Sequence, residues 1–159
     1  MIYQLYLSQI YESMKIKLPS ETVFHSIEST IKEYRKYAQK NISEAIPDMT
    51  IDQGLVLLFL NEYPEMTQKE IAELVFKDNA SMTRMINTMV KKNYIKRSMN
   101  ASDRRRYKLE ITKKGKEVLN ILPPIIHHNR NSSLKGISKN EQAQLQAILN
   151  KIRLNCQNI

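Results

Sequence analysis

A mostly α-helical fold carrying one small β-hairpin is what this sequence predicts. Apolar residues recur at three- and four-residue spacing over much of its length. Two S/T-x-x-E signatures, Thr67–Glu70 and Ser138–Glu141, mark helix starts. Strict alternation marks "RRYKLEI" (105–111) as a strand, and only three glycines are present to build tight turns. The 159 residues read as a single domain, 1–159, long enough to bury a core.

Residues 20–45 read as the first helix, with Ser20 as its cap and Val23, Ile27, Ile31, Tyr34, Ala38 and Ile42 along one face. Thr50 caps a second helix that ends before Pro64 and turns Leu55, Leu58 and Phe59 inward. A short third helix starts at the Thr67 box and buries Ile71, Leu74 and Val75. "VFKDNAS" is a turn in which Asp78 or Asn79 caps the next helix, 79–92. Met82, Met85, Ile86, Met89 and Val90 form one stripe of that helix. At 100° per residue the opposite stripe is Ala80, Arg84, Asn87 and Lys91, flanked by Ser81 and Thr83. Asn93 supplies the left-handed residue that ends it. "YIKRSM" and "RRYKLEI" are two strands joined through "NASD". In the second, Tyr107, Leu109 and Ile111 share a face. Thr112 caps a further helix, expected to kink or break at Pro123 and Pro124. The helix after Ser138 places Leu145, Ile148, Leu149 and Ile152 on one side.

Charge separates the function classes. The net charge is +9, and its location matters more than its size. From Lys77 to Lys116 there are thirteen Lys/Arg against three acids, whereas the rest of the chain holds twelve basic and thirteen acidic residues. That concentration fits a polyanion partner better than a merely solvated face. The single cysteine, Cys156, excludes an internal disulfide framework and points to a reducing cytoplasm. The amino-terminal stretch lacks a basic n-region, so no secretory signal is expected, and no membrane-spanning stretch is expected either.

Helix, short capped helix, turn, helix with a polar outer stripe, then β-hairpin is the order of a winged helix-turn-helix. It occupies 50–111, between helical regions 1–45 and 112–159. An α-helix fits the DNA major groove, where each base pair displays a distinct donor and acceptor pattern. The stripe offers a small residue for close approach, an arginine suited to guanine and an asparagine suited to adenine. The expected major-groove set is therefore Asn79, Ala80, Ser81, Thr83, Arg84 and Asn87. Thr67, Gln68 and Lys69 at a helix amino end, together with Lys91, are expected at phosphates. Arg104, Arg105 and Arg106 load the wing, 98–107, for a minor groove of strongly negative potential. Asp103 shapes the tip by pairing with one of them, Arg105 rather than its neighbour.

From Thr50 to Gly115 the sequence resembles the MarR family of bacterial transcriptional regulators. The resemblance rests on "DRRRYKLEITKKG" (103–115), on "MTQKEIAELV" with "ASMTRMINTMVKKNYIKR", and on "MTIDQGLVLLFL". It implies an obligate homodimer made by regions 1–45 and 112–159, and a pseudo-palindromic double-stranded DNA operator. It also implies major-groove contacts from Ser81, Thr83 and Arg84 and minor-groove contacts from Arg104 and Arg105. Many relatives are repressors released by a small aromatic effector or by oxidation. Asn93 stands where the family usually has glycine, and Gly54 follows Gln53 where a bulky aromatic is common. The glycine leaves either a pocket or room for a neighbouring side chain, the latter being favoured. His25, Tyr34, Tyr37 and Gly54 are the candidates for an effector pocket. Some relatives bind zinc between helices, but His25, His127 and His128 are scattered or adjacent, so no metal and no cofactor is expected. The oxidation-sensing branch carries a cysteine near the first helix, which this chain lacks.

No Gly-rich phosphate loop, nucleophile motif or paired-histidine metal signature is present, so no catalytic residue is assigned and an enzyme is not expected. The expected function is a sequence-specific DNA-binding transcriptional regulator, a repressor in its commonest form. The alternatives are a winged-helix protein-interaction module and a sequence-indifferent architectural DNA-binding protein. A protein-interaction module would not need the arginine wing. An architectural binder would show a steep salt dependence without sequence discrimination.

Overall fold

A computed structural model describes residues 18–99 and 107–157. A 3₁₀ turn at Pro19–Glu21 leads into helix α1 (Val23–Ala45), followed by α2 (Ile51–Glu62), α3 (Gln68–Leu74) and α4 (Asn79–Lys91). Strands β1 (Ile95–Met99) and β2 (Tyr107–Ile111) pair antiparallel, with Ile95 opposite Ile111 and Met99 opposite Tyr107. Helices α5 (Lys113–Ser133) and α6 (Lys139–Gln157) complete the chain.

Side chains capable of capping set most of the boundaries. Thr50, Thr67 and Asp78 each accept a backbone N–H at the start of α2, α3 and α4. Ser138 and Glu141 bond reciprocally at the start of α6. The cap of α1 is Thr22, whose hydroxyl accepts from His25 N–H, rather than the expected Ser20. Ser20 lies inside the 3₁₀ turn that Pro19 opens.

The core gathers where α2, α3, α4 and the hairpin meet α1 and α5. Val56, Leu57, Ile71, Met82, Ile86 and Leu122 are completely buried there. Expectations about facing need correction in four helices. In α2 the deepest residues are Val56, Leu57 and Leu60, while Leu55, Leu58 and Phe59 are only partly covered. A helix apolar nearly all round does not disclose its inner face by periodicity. In α3 Ala72 is buried and Leu74 is exposed, and in α4 Val90 is likewise exposed. On α1, Val23 and Ile31 continue the apolar face but remain uncovered, with only Ala38 and Ile42 buried.

Helix α5 runs through Pro123 and Pro124 as one continuous element, so of the kink or break expected there the break does not occur. Each proline removes one N–H, but Leu122 before them is fully buried and Ile125 and Ile126 after them pack on the core. Tertiary packing on both sides thus offsets the lost bonds. A polar pair adds to the α1–α5 contact, the half-buried Asn41 donating to Oδ1 of the buried Asn129 at 2.6 Å.

Two junctions hold the helix-turn-helix to its surroundings. Asp52 at the start of α2 bonds Arg35 of α1 at 2.5 Å and Lys77, just ahead of α4, at 2.9 Å. Burial alone would raise the Asp52 carboxyl, but hydrogen bonds from Arg35 and Lys77 and their charges outweigh it and hold it below its ordinary value. After β2, the Thr112 hydroxyl donates to the Asn93 and Tyr94 carbonyls and accepts from Gly115 N–H. A Cβ at Gly115 would stand 2.2 Å from the Tyr94 carbonyl oxygen, so glycine is required for α5 to approach this closely.

Helices α3 and α4 end alike. Lys77 N–H donates to Ala72 C=O and Tyr94 N–H to Met89 C=O, with Phe76 and Asn93 in the left-handed region at φ 55° and 60°. Asparagine accommodates that geometry well. For an aromatic residue the crowding of Cβ against the carbonyl costs about 1–2 kcal/mol.

Two outcomes are expected. Asp52→Asn should lower stability at pH 7 by about 1–2 kcal/mol, measured by urea unfolding. Because the native carboxyl is depressed, its contribution is full above about pH 4 and is lost as pH falls through the native value, so wild type and variant should converge in acid. Gly115→Ala should cost about 2–3 kcal/mol in the same assay, because backbone rather than a pliable side chain must yield.

Candidate nucleic-acid interface

The orientation of α4 follows from its sequence. Met82, Ile86 and Met89 are completely buried, and this turns Ala80, Arg84, Asn87 and Lys91 outward. All four are exposed, as is Asn79 in the first turn, while Ser81 and Thr83 are half-buried. The polar stripe read from the sequence is thus an unobstructed surface along one helix.

Part of this surface is preset by internal bonds. The Ser81 backbone N–H and hydroxyl both donate to Asp78, at 2.7 Å each, and hold its carboxyl below the ordinary range. Arg84 Nη2 donates to the Ser81 hydroxyl at 3.1 Å. This steers the guanidinium toward the amino end of α4 while sparing most of its five donors. Thr83 is more committed: its hydroxyl donates to the Asn79 carbonyl and accepts from Gln68 Nε2 at 2.9 Å. That contact ties α3 to α4 and places Gln68 beside the stripe.

The start of α3 is less open than expected. Glu70 Oε2 accepts from both the Thr67 N–H and the Thr67 hydroxyl at 2.7 Å, so of the residues assigned to a phosphate the capping box engages Thr67. Lys69 is exposed. At the far end of α4, Lys91 is exposed and Lys92 donates to the Asp48 carbonyl.

The hairpin base carries its own charges. Arg97 lies over the Tyr107 ring, 3.5 Å from its centroid, a stacking that alternation alone did not reveal. Lys96 pairs with Glu110 at 3.1 Å across the strands. Asp103, Arg104, Arg105 and Arg106, expected at the wing tip, lie outside the described residues.

The four effector-pocket candidates separate. Tyr34 and Gly54 line a cavity of about 270 Å³ between α1, α2 and α5, together with Arg35, Ile42, Leu122 and Asn129. Gly54 both borders this space and admits a neighbour, since a Cβ there would meet Leu122 Cδ2 at 2.9 Å. Tyr37 instead borders a surface depression with Ser29, Glu33 and Ser133, and His25 lines neither. Among the described residues no group of three or more His, Cys, Asp or Glu is placed to hold a metal ion. His127 contacts Asn131 and His128 contacts Ser132, each one turn along α5. Among the described residues no helix is long and apolar enough to cross a membrane.

Sequence and fold comparisons agree with this geometry. Residues 49–107 match the model of the MarR family. The HTH-type transcriptional regulator YybA of Bacillus subtilis is 28% identical over 108 residues, which are 68% of this chain and 72% of that protein. Curated relatives are matched over 49% to 72% of their own length. The crystal structure of the transcriptional regulator SlyA superposes with a TM-score of 0.75 at 26% identity, covering 86% of this chain and 94% of that one. A DNA complex of S. aureus MepR shares the fold, with a TM-score of 0.77 at 21% identity over 84% of this chain and 98% of its own. Over residues 49–107 the chain thus carries a winged helix of the MarR type, and along the flanking helices it shares the fold of the transcriptional regulator SlyA.

Proposed function

We propose that this protein is a sequence-specific transcriptional repressor that binds a pseudo-palindromic operator as a homodimer. The observation that carries the reading is the exposed stripe Ala80, Arg84, Asn87 and Lys91 on a helix whose opposite face is locked into the core. In the major groove Arg84 is suited to the O6 and N7 of guanine and Asn87 to adenine, with Asn79, Ala80 and Ser81 close to the base edges. Thr83 and Gln68 position α3 against α4, while Lys69 and Lys91 meet phosphates. The arginines at 104–106 enter the adjacent minor groove and Asp103 orients them. Relatives described as transcriptional regulators, and a fold shared with a DNA-bound protein, support the same reading.

The homodimer is supported by surface that one chain leaves uncovered. Helix α6 contributes no buried residue, and Leu145, Ile148 and Leu149 are exposed along it. Val23, Phe24 and Ile31 of α1 are also exposed. Apolar surface on this scale belongs to an interface. A site in the cytoplasm, where its DNA is, follows from the same reading.

A small aromatic effector would occupy the cavity between α1, α2 and α5. Arg35 lines that cavity and also bonds Asp52, which in turn holds Lys77 at the approach to α4. An occupant that draws Arg35 away would loosen the lead-in to the recognition helix, a direct route from ligand to DNA release.

Selection of bound fragments from a random duplex library should return an inverted repeat with half-sites about one helical turn apart. Recovery of no motif at any salt would defeat the reading. On the selected duplex, Arg84→Ala should cost about 1–3 kcal/mol by titration and relax preference at a single base position. Alanine at Arg104 and Arg105 together should weaken binding and flatten the salt dependence, the slope falling by about one unit per lost phosphate contact.

A further inference from the structure

Phe76 is placed where none of the described residues covers its aromatic ring. Its backbone sits at φ 55°, and its side chain is 93% exposed. The neighbours on either side are all engaged. Val75 is buried, Lys77 bonds Asp52, and Asp78 caps α4. Between them the apolar ring of Phe76 is turned to solvent.

Asn93 provides an internal comparison. It closes α4 with the same left-handed geometry that Phe76 uses to close α3, and it meets both the backbone and the solvent requirement. Glycine would suit position 76 equally well. A strained backbone combined with an uncovered aromatic ring indicates that the ring serves a contact outside the chain.

The location indicates which contact. Position 76 precedes the cap of α4 by two residues, a span of at most about 7 Å. Position 76 therefore lies within reach of the first turn of the recognition helix, where Asn79 and Ala80 are exposed. Among the base edges in the major groove the C5-methyl of thymine is the protruding apolar group, and an aromatic ring is among the side chains that pack on it.

We propose that Phe76 is a specificity-determining DNA contact, its ring packing on a thymine methyl group at the rim of the groove read by α4. This rests on the DNA-binding reading of the winged helix. It adds a hydrophobic selection for thymine to the hydrogen-bonding selection by Arg84 and Asn87, at a position flanking theirs in each half-site.

The test compares wild type with Phe76→Gly and Phe76→Asn on the selected operator. Both variants should fold, with melting temperatures equal to or above wild type, because each relieves the left-handed strain. Both should bind the operator five- to tenfold more weakly. Replacing one particular thymine per half-site with uracil, which removes only the methyl group, should cost the wild type a similar factor and leave the variants unaffected. Unchanged affinity in the variants would overturn the proposal. So would a loss in the variants with no thymine position at which wild type responds to uracil. A wild-type protein that selects no sequence would remove the DNA reading itself and this contact with it, an outcome distinct from a loss confined to the variants.

Discussion

The rotation of α4 about its own axis is set by three side chains, Met82, Ile86 and Met89, each with no exposed surface. Everything the outer face presents follows from that burial. A slip of one residue would turn the helix by 100°, bringing Thr83 and Asn87 toward the core and taking Met82 to the surface. The cost of burying two polar groups while exposing large apolar ones makes the observed register effectively unique. Methionine suits this seat, since an unbranched thioether fills the irregular space between α2, α3 and the hairpin while leaving the helix axis undistorted.

Rotation alone does not place the helix relative to the rest of the molecule; polar junctions do that. Asp52 joins α1, α2 and the approach to α4 through two cations. Thr112 and Gly115 clamp the end of the hairpin and the start of α5 onto the turn that follows α4. Gln39 of α1 donates to the Met49 carbonyl and accepts from Ile51 N–H, fastening the connector ahead of α2. All of these bonds lie away from the outer stripe of α4. The stripe is therefore held from behind, and its exposed donors remain available while their scaffold stays fixed.

What the sequence disclosed and what it withheld divide along the range of the physics involved. Caps at Thr50, Thr67 and Thr112 are local events between residues three apart, and they were legible; the cap of α4 was narrowed to Asp78 or Asn79, and it is Asp78. The two stripes of α4 were legible as well, because that helix is strongly two-sided. The inner face of α2 was not, since nearly every position there is apolar and tertiary neighbours decide which are covered. Continuity of α5 through Pro123 and Pro124 was hidden for the same reason: the packing that offsets two lost hydrogen bonds comes from other parts of the chain. Phe76 was hidden differently. A left-handed residue announces itself when it is Gly or Asn, as at Asn93, and gives no signal when it is aromatic. Of the proposed interface, the α4 surface has a visible geometric basis, whereas the arginines at 104–106 rest on sequence alone.

The charge distribution also reads differently once partners are known. Of the thirteen cations between Lys77 and Lys116, Lys77 is spent on Asp52, and Lys96 and Lys108 share Glu110. Lys92 and Lys114 donate to carbonyls, which fixes their positions without neutralising them. Arg84 bonds a neutral hydroxyl and Arg97 stacks on a neutral ring, so both retain full charge. The pairs at Lys96 and Lys108 are exposed and worth little, which lets either cation exchange a carboxylate for a phosphate at small cost. Lys77 differs, because Asp52 is largely buried and would be left with one cation fewer if Lys77 moved away. The window therefore contains two populations of positive charge: one bound into the scaffold, and one held in place yet free to meet an external anion. A count of basic residues cannot distinguish them, and the second population, with Arg84 at its centre, gives the surface its direction.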